Sequence, residues 1–146
     1  MAKRVLFLCT GNYYRSRFAE MLFNHLATAA GLEWHADSAG LRVNGNTRNI
    51  GPLSCFAEAG LEMREIALAW PYRFPRQVTE EELAVADLVI ALKEAEHRPL
   101  MQAIHPQHVD RITYWHVHDL DASPPLEALQ ELERHVRELV GRLAAT

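Results

Sequence analysis

The sequence has few cysteines and no long apolar run. Two cysteines among 146 residues are too few for a disulfide framework and are typical of a protein of the reducing cytoplasm. The apolar run that follows Arg4 has five residues, which is too short for the core of a signal peptide, and no other run approaches membrane-spanning length. We therefore expect a cytoplasmic protein that is neither exported nor held in a membrane.

The sequence also lacks an excess of positive charge. Fifteen Lys and Arg residues against nineteen Asp and Glu residues give a net charge of -4, and no basic tract interrupts the pattern. A nucleic-acid-binding surface is therefore not expected. There is no internal repeat, low-complexity tract or linker, and 49% of the residues are apolar. We expect a single domain over residues 1–146 with an ordinary hydrophobic core.

The most informative stretch lies near the N-terminus, at residues 4–17. Residues 5–8 are continuously apolar, as in a parallel strand that is buried on both faces. The run stops at Cys9, and residues 10–12 (Thr-Gly-Asn) can turn tightly and tolerate left-handed backbone. Arg15 and Ser16 then begin an amphipathic helical pattern. The sequence predicts a strand, a tight loop and a helix N-terminus in succession.

Such a succession is suited to binding an anion. The backbone N–H groups of the loop and the positive end of the helix dipole converge, and a guanidinium such as that of Arg15 can grip two oxygens of a tetrahedral dianion. Cys9 would face the centre of that anion, and the same positive field favours a thiolate over a thiol. We call residues 9–16 the anion loop and predict that it combines a nucleophile with an anion cradle.

Strands and helices alternate along the rest of the chain. We predict further strands near residues 33–38, 66–68, 86–92 and 111–115. Predicted helices run from Ser16 to about Gly31, over residues 52–60, from Thr79 as N-cap, and through the C-terminal stripe of apolar residues. The pattern indicates an α/β fold: a three-layer, doubly wound sheet of about four parallel strands, with the anion loop after the first strand.

The anion loop matches the Cys-x5-Arg-Ser loop of the low molecular weight protein tyrosine phosphatases. The chain resembles that family along most of its length, in order and approximate spacing. The other similar segments are the lead-in VLFLCTGN, Ser38-Ala39-Gly40, Ser54-Cys55-Phe56 with Gly60-Leu61, residues 86–92 and Trp115-His116-Val117-His118-Asp119. The resemblance implies hydrolysis of aryl phosphates through a phosphocysteine, without a metal or other cofactor.

The resemblance also assigns roles to residues. Cys9 attacks phosphorus, Arg15 and the loop hold the phosphoryl oxygens, and Asp119 is the general acid and then the general base. Asp121 is a rival for that last role, because Leu120 stands where the family has Pro after the acid. The expected phosphate-binding residues are Thr10, Gly11, Asn12, Tyr13, Tyr14, Arg15 and Ser16. Asn12 and Ser38 are expected to form a structural brace.

Expected partners are a phosphotyrosine-containing protein or a small aryl phosphate, with inorganic phosphate and other oxyanions as inhibitors; neither nucleic acid nor membrane is expected. His116 and His118 share one face of a strand, but no third ligand has metal-site spacing, so no metal is predicted. Two other functions stay open. One is a thioredoxin-coupled arsenate reductase, which needs more cysteines than Cys55. The other is a non-catalytic phosphate-binding or phosphoprotein-binding module.

Several positions depart from the family pattern. Tyr13 and Tyr14 replace a small aliphatic residue and often a second cysteine, and either ring can wall the pocket. The Asn-rich and Gly-rich stretch 41–49, predicted to be an exposed loop that faces the substrate, has no aromatic residue. The aromatic residues at 70–74 either pack over the sheet edge, which we favour, or border the pocket. Cys55 is predicted to lie in the core, beyond reach of Cys9.

Overall fold

The computed structural model describes residues 2–44, 49–117 and 125–146. Within these ranges the chain forms four strands, five α-helices and one 3-10 helix. The strands are β1 (Lys3–Cys9), β2 (Trp34–Gly40), β3 (Leu88–Ala91) and β4 (Thr113–Tyr114). The helices are α1 (Arg15–Ala29), α2 (Cys55–Met63), α3 (Glu80–Val85), α4 (Glu94–Ile104) and α5 (Pro125–Ala144), with the 3-10 helix at Pro106–His108.

The four strands form one parallel sheet with the order β2-β1-β3-β4. β1 is therefore central, with β2 on one side and the later strands on the other. In the register of the sheet, Cys9 lies opposite Gly40, and Leu8 lies opposite Ala91. A change of direction beside the first strand opens a crevice at the carboxyl edge of such a sheet, which is where ligands bind in doubly wound folds. The anion loop begins at this edge.

Both faces of β1 are buried, as its apolar run predicts. Val5, Phe7 and Cys9 belong to one hydrophobic cluster, with residues of α1, α2 and α5. Leu6 and Leu8 belong to a second cluster, with residues of α3 and α4. The sheet thus lies between two helical layers, and the predicted three-layer α/β fold is confirmed.

The terminal helix packs as its sequence predicts, and so does the start of α3. Buried residues of α5 recur at helical spacing at Leu129, Leu132, Val136, Leu139 and Val140. At the start of α3, the Thr79 side chain accepts from the Glu82 backbone, and the Glu82 side chain accepts from the Thr79 backbone. This reciprocal capping box agrees with the N-cap prediction. No helix in the described parts of the chain is both long and apolar enough to cross a membrane.

Three local predictions are wrong. The helix predicted over 52–60 starts at Cys55 and continues through Gly60 to Met63, and Phe56, expected inside, is 46% exposed. Residues 66–68 do not form a strand. Leu41, expected in an exposed loop, is buried in the second cluster, because it directly follows β2.

Candidate active site

The anion loop connects the end of β1 to the start of α1. Tyr14 is the N-cap of α1, no side chain caps this helix end, and its first turn has no acidic residue. The backbone of residues 41 and 42 follows the loop closely, since Leu41 N donates to Cys9 O and Arg42 N donates to Thr10 O, each at 2.9 Å. The loop therefore lies between a helix N-terminus and the segment after β2. No carboxylate in the first turn of α1 neutralises the positive end of the helix dipole.

The Cys9 thiol contacts the hydroxyl of Ser16 in a buried position. Cys9 Sγ and Ser16 Oγ are 2.9 Å apart, and Asn12 Nδ2 donates to the same Ser16 Oγ at 2.8 Å. The Ser16 oxygen accepts a hydrogen bond from the Asn12 amide, which leaves the hydroxyl hydrogen available to donate to sulfur. A hydroxyl that donates to sulfur stabilises the thiolate, which is the nucleophilic form of cysteine.

Asn12 adopts left-handed backbone and is fully buried. Its φ is 51°, a region that asparagine tolerates better than most residues with a side chain. Its Nδ2 also donates to Ser38 Oγ at 3.0 Å, while its Oδ1 accepts from Arg73 Nη1 at 2.9 Å and from Arg76 N at 3.2 Å. The structure therefore brings Asn12 and Ser38 together, and the amide satisfies all its hydrogen-bonding groups in holding the turn.

Arg15 contacts a carboxylate that sequence analysis missed. Its Nη2 donates to Glu96 Oε2 at 3.0 Å, and Thr10 Oγ1 donates to the same oxygen in a very short hydrogen bond. Glu96 lies in the first turn of α4, just beyond the end of β3. An acidic residue in a first helical turn usually complements the helix dipole, so the sequence alone did not indicate a role for Glu96 at the site. Its position just after a strand, at the edge of the sheet where ligands bind, could have indicated one.

Glu96 stays ionised because of its neighbours. Burial by itself raises its pKa, but contact with His97, the charge of Arg15 and the hydrogen bond from Thr10 together hold the pKa well below its usual range. His97 Nε2 lies 3.2 Å from Glu96 Oε2, without meeting hydrogen-bond geometry, and His97 Nδ1 accepts from Lys93 N at 3.0 Å. Burial lowers the pKa of His97, so this ring is neutral at pH 7.

Two further arginines, Arg17 and Arg73, connect the anion loop and the start of α1 to other segments of the chain. Arg17 is 1% exposed and donates to the backbone oxygens of Pro52 at 2.8 Å and Arg73 at 2.9 Å. Besides Asn12, the Arg73 guanidinium reaches Ser38 O and Ser38 Oγ, both at 3.0 Å. Burial and the charge of Arg73 lower the pKa of Arg17 to about 10, so it remains a cation at neutral pH. Sequence analysis missed both roles, because partners distant in sequence define them.

Tyr13 and Tyr14 take different positions in the loop. The Tyr13 hydroxyl donates to Ile50 O at 2.5 Å, and Tyr13 O accepts from Ser54 N at 3.0 Å. Tyr14 is buried beside Phe56, with ring centroids 6.4 Å apart. Burial raises the pKa of Tyr14 to about 12, so its phenol remains protonated. Tyr13 thus joins the loop to the segment before α2, whereas Tyr14 packs into the core.

The aromatic residues of the segment 70–75 take different positions. Trp70 is 76% exposed and Phe74 is 67% exposed, so the packing that we favoured is wrong for these two rings, whereas Tyr72 packs half-buried against the first hydrophobic cluster. Phe74 lines a cavity of about 250 Å³ that opens on Gly11 of the anion loop, whereas Trp70 lies edge-on against Tyr72, with centroids 5.0 Å apart. The pocket-border alternative therefore holds for Phe74.

Cys55 is exposed, which corrects its predicted place in the core. It is the first residue of α2, and Ser54 caps that helix by accepting from Phe56 N at 3.2 Å. The helical phase set by this start turns Cys55 and Phe56 outward and Ala57 inward. Both cysteines are free thiols. That Cys55 lies beyond reach of Cys9 stays a prediction.

The loop that follows β4 is described only as far as Val117. Asp119, Asp121 and His118 lie outside the described residues, so the acid assigned from the sequence stays a prediction. His116 is described and lies 3.5 Å from Glu94 through its Nε2. Among residues 2–44, 49–117 and 125–146, no group of three His, Cys, Asp or Glu side chains is arranged to hold a metal ion.

Comparison with known proteins yields a family match over nearly all of the chain. The model of the family described as low molecular weight phosphotyrosine protein phosphatase matches residues 4–145. The human protein of that name is 34% identical over 103 residues, which are 67% of this chain and 60% of the relative. The protein-arginine-phosphatase of Bacillus subtilis (strain 168) is 32% identical over 108 residues, 74% of this chain and 67% of the relative.

Solved structures agree with the sequence comparison. The low molecular weight protein tyrosine phosphatase from T. tengcongensis superposes with a TM-score of 0.79 at 28% identity, covering 97% of this chain and 99% of that one. The match to the human relative spans less than two thirds of that relative's length. The family match, by contrast, includes the anion loop, both helical layers and all of the sheet except Lys3. This chain belongs to the low molecular weight phosphotyrosine protein phosphatase family.

Proposed function

We propose that the protein is a phosphomonoesterase that hydrolyses aryl phosphates, phosphotyrosine in proteins above all, through a phosphocysteine at Cys9. The observation that carries this proposal is the buried contact of Cys9 Sγ with Ser16 Oγ at 2.9 Å. That hydroxyl is oriented by Asn12, within a loop that ends at a helix N-terminus. A directed hydroxyl and a helix dipole both favour a thiolate placed to attack an anion.

The chemistry has two steps. The Cys9 thiolate attacks phosphorus, an S–P bond forms, and the bond from phosphorus to the aryl oxygen breaks. Water then attacks the phosphocysteine, the S–P bond breaks, and inorganic phosphate leaves while the thiolate is restored. Arg15 and the backbone N–H groups of residues 10–16 hold the three equatorial oxygens in both steps. These oxygens carry the negative charge of the transition state, and the donors stabilise it.

The proton in both steps is assigned to Asp119. In the first step its carboxylic acid protonates the departing phenolate, and in the second its carboxylate takes a proton from the attacking water. Asp121 is the alternative donor. The proposed location is the cytoplasm, whose reducing conditions protect Cys9 from oxidation. Inorganic phosphate and other oxyanions, which fit the same loop, are proposed as inhibitors.

Hydrolysis of p-nitrophenyl phosphate by the intact chain tests the proposal. We expect Cys9→Ser to abolish turnover and to keep inorganic phosphate binding, measured by calorimetry, within a few-fold of wild type. Arg15→Lys should also lose most turnover, because a point ammonium cannot grip two oxygens at once. Turnover retained by Cys9→Ser excludes this mechanism. Phosphate binding without turnover in the wild type favours a binding module instead.

The substrate class needs a parallel measurement. Phosphotyrosine, phosphoarginine and phosphoserine peptides of one sequence should be compared by phosphate release, since one relative is named a protein-arginine-phosphatase. We expect the phosphotyrosine peptide to give the highest kcat/KM. Arsenate reduction with thioredoxin should be absent, because the chain has one cysteine besides Cys9 and a disulfide cascade needs more.

A further inference from the structure

Phe74 exposes a large aromatic ring beside the anion loop. It lies 67% exposed on the segment between α2 and α3. The cavity that it lines has a volume of about 250 Å³. The other residues around this cavity are Gly11, Val43, Asn49, Gly51 and Pro75. Ligand pockets are lined mainly by apolar and aromatic side chains, which is the kind of wall that Phe74 supplies here.

The backbone of Phe74 is fixed from both sides by the anion loop. Arg73, the residue before it, donates to Asn12 Oδ1 at 2.9 Å and to Ser38 O at 3.0 Å. Arg76, two residues after it, donates its backbone N–H to the same Asn12 Oδ1 at 3.2 Å. Arg17 donates to Arg73 O at 2.9 Å. The backbone on both sides of Phe74 is thus held beside the loop, and little backbone freedom remains to be lost when a ligand packs against this residue.

The cavity has the chemistry of a site for a flat apolar group joined to an anion. Gly11, two residues after Cys9, is part of its lining, so the cavity reaches the anion loop. Val43, Phe74 and Pro75 supply apolar walls. Residues 41–43 supply no aromatic ring. Phe74 supplies one from a different segment of the chain.

We propose that Phe74 is a specificity-determining residue whose ring packs against the aromatic ring of the substrate while the anion loop holds the phosphoryl group. This inference rests on the proposed function, since it names the residue that distinguishes aryl from alkyl phosphates. Aromatic pairs add a stabilisation equivalent to about two- to tenfold in binding. Phe74 therefore sets affinity for the ring and leaves affinity for the bare phosphate to the loop.

The test compares Phe74→Ala with a matched control, Trp70→Ala. Trp70 is an exposed aromatic residue on the same segment, but it lies against Tyr72 rather than along the cavity. For p-nitrophenyl phosphate we expect Phe74→Ala to raise KM about three- to tenfold, and Trp70→Ala to leave KM within twofold. Inhibition by inorganic phosphate should change less than twofold in both. Phe74→Tyr, which keeps an aromatic ring at this position, should have the KM of the wild type within twofold.

Binding of benzylphosphonate and of inorganic phosphate, measured by calorimetry, makes the result independent of turnover. Phe74→Ala should weaken benzylphosphonate by the same three- to tenfold factor and leave inorganic phosphate unchanged. If the wild type hydrolyses no aryl phosphate but this difference persists, the proposed function fails and the role of Phe74 stands. Equal weakening of both ligands means that Phe74 only supports the loop. An unchanged benzylphosphonate affinity also overturns the proposal.

Discussion

At the scale of single residues, Asn12 connects almost every part of the candidate site. Its amide contacts Ser16, Ser38, Arg73 and the backbone of Arg76. The sequence could indicate that Asn12 turns the loop, because asparagine tolerates left-handed backbone. It could not indicate Arg73, which is 61 residues away in the chain and reaches Asn12 only through the fold. Local chemistry was predictable here from the residues, and the partner Ser38 was expected only through the family resemblance, whereas Arg73 was not expected at all.

Glu96 makes a first prediction at this scale. Its carboxylate pairs with Arg15, so an incoming phosphate must compete for the same guanidinium. Replacing the carboxylate with an amide of the same shape, Glu96→Gln, should therefore strengthen inhibition by inorganic phosphate by about three- to thirtyfold. Competitive inhibition constants measured at neutral pH check this.

Glu94→Gln is the matched control for that measurement. Glu94 lies in the same first turn of α4, but it pairs with Arg98 at 2.9 Å instead of the anion loop. Its inhibition constant should stay within twofold of wild type. Phosphate inhibition that is unchanged or weaker in Glu96→Gln would mean that Glu96 orients Arg15 and does not compete with the anion.

The general acid is a second question for single residues. We expect Asp119→Asn to lower kcat by about two to four orders of magnitude for phenols that leave poorly, and less for activated phenols, which depart without a proton. Steady-state rates across a series of aryl phosphates measure this leaving-group dependence. If Asp121→Asn gives the pattern and Asp119→Asn does not, the acid lies two residues further along the loop than assigned.

At the scale of elements, α2 shows what sequence periodicity leaves out. Gly60 was expected to end this helix, since glycine is common just after a helix. The helix instead continues through Gly60 to Met63. The residue is a glycine for another reason, which is that a side chain at this position would collide with its neighbours. A Cβ at Gly60 would lie 2.5 Å from Leu129 Cδ1 and 3.2 Å from Phe18 Cε2. Close packing of α2 against α1 and α5 explains the glycine, and only the assembled fold reveals it.

Gly60→Ala and Gly141→Ala therefore should have opposite effects on stability. Gly60→Ala should lower the free energy of unfolding by about 0.5–2 kcal/mol, because overpacking of a buried contact outweighs the gain in helix propensity. Gly141 is exposed within α5, and a Cβ there meets nothing within 4 Å. Gly141→Ala should raise the free energy of unfolding by about 0.5–1 kcal/mol through helix propensity. Urea unfolding measures both. A loss of similar size in both variants would contradict this packing account.

At the scale of the whole molecule, the architecture was the most predictable feature. The apolar strands predicted at residues 5–8 and 86–92, with helical stripes between and after them, were sufficient to indicate a parallel sheet between two layers. The fold then brings the carboxyl ends of β1, β2 and β3 to one edge. Cys9, Gly40 and the start of α4 meet there, although they are far apart in sequence. The succession of strand, loop and helix at residues 3–29 was predictable because it lies within one short segment.

The ionisable groups predict loss of stability in acid. The pKa values of His97 and His135 are lowered first of all by burial, and those of Glu80, Glu96 and Glu133 are lowered by their cationic or hydrogen-bonding partners. A group whose pKa is lower in the folded state stabilises the protein above its unfolded pKa. That contribution decreases as the pH falls towards the folded value.

Stability should accordingly be nearly constant from pH 8 to about 6.5, fall below about 6.5 as the histidines titrate, and fall further below about 4.5 as the carboxylates do. Urea unfolding across this range measures the profile. His97→Gln should flatten the segment below pH 6.5, because it removes a buried imidazole that takes up a proton more readily once the chain unfolds. A profile that rises towards acid would contradict the pKa directions.

The most direct test of the central claim is to trap the phosphoryl group on the protein. Asp119→Asn, or Asp121→Asn if that residue proves to be the acid, should slow hydrolysis of the intermediate. The variant is mixed with p-nitrophenyl phosphate and quenched, and its peptides are analysed by mass spectrometry. The account predicts one phosphoryl group on Cys9, released at a rate that matches turnover. A phosphoryl group on another residue, or turnover with none bound to Cys9, would contradict it.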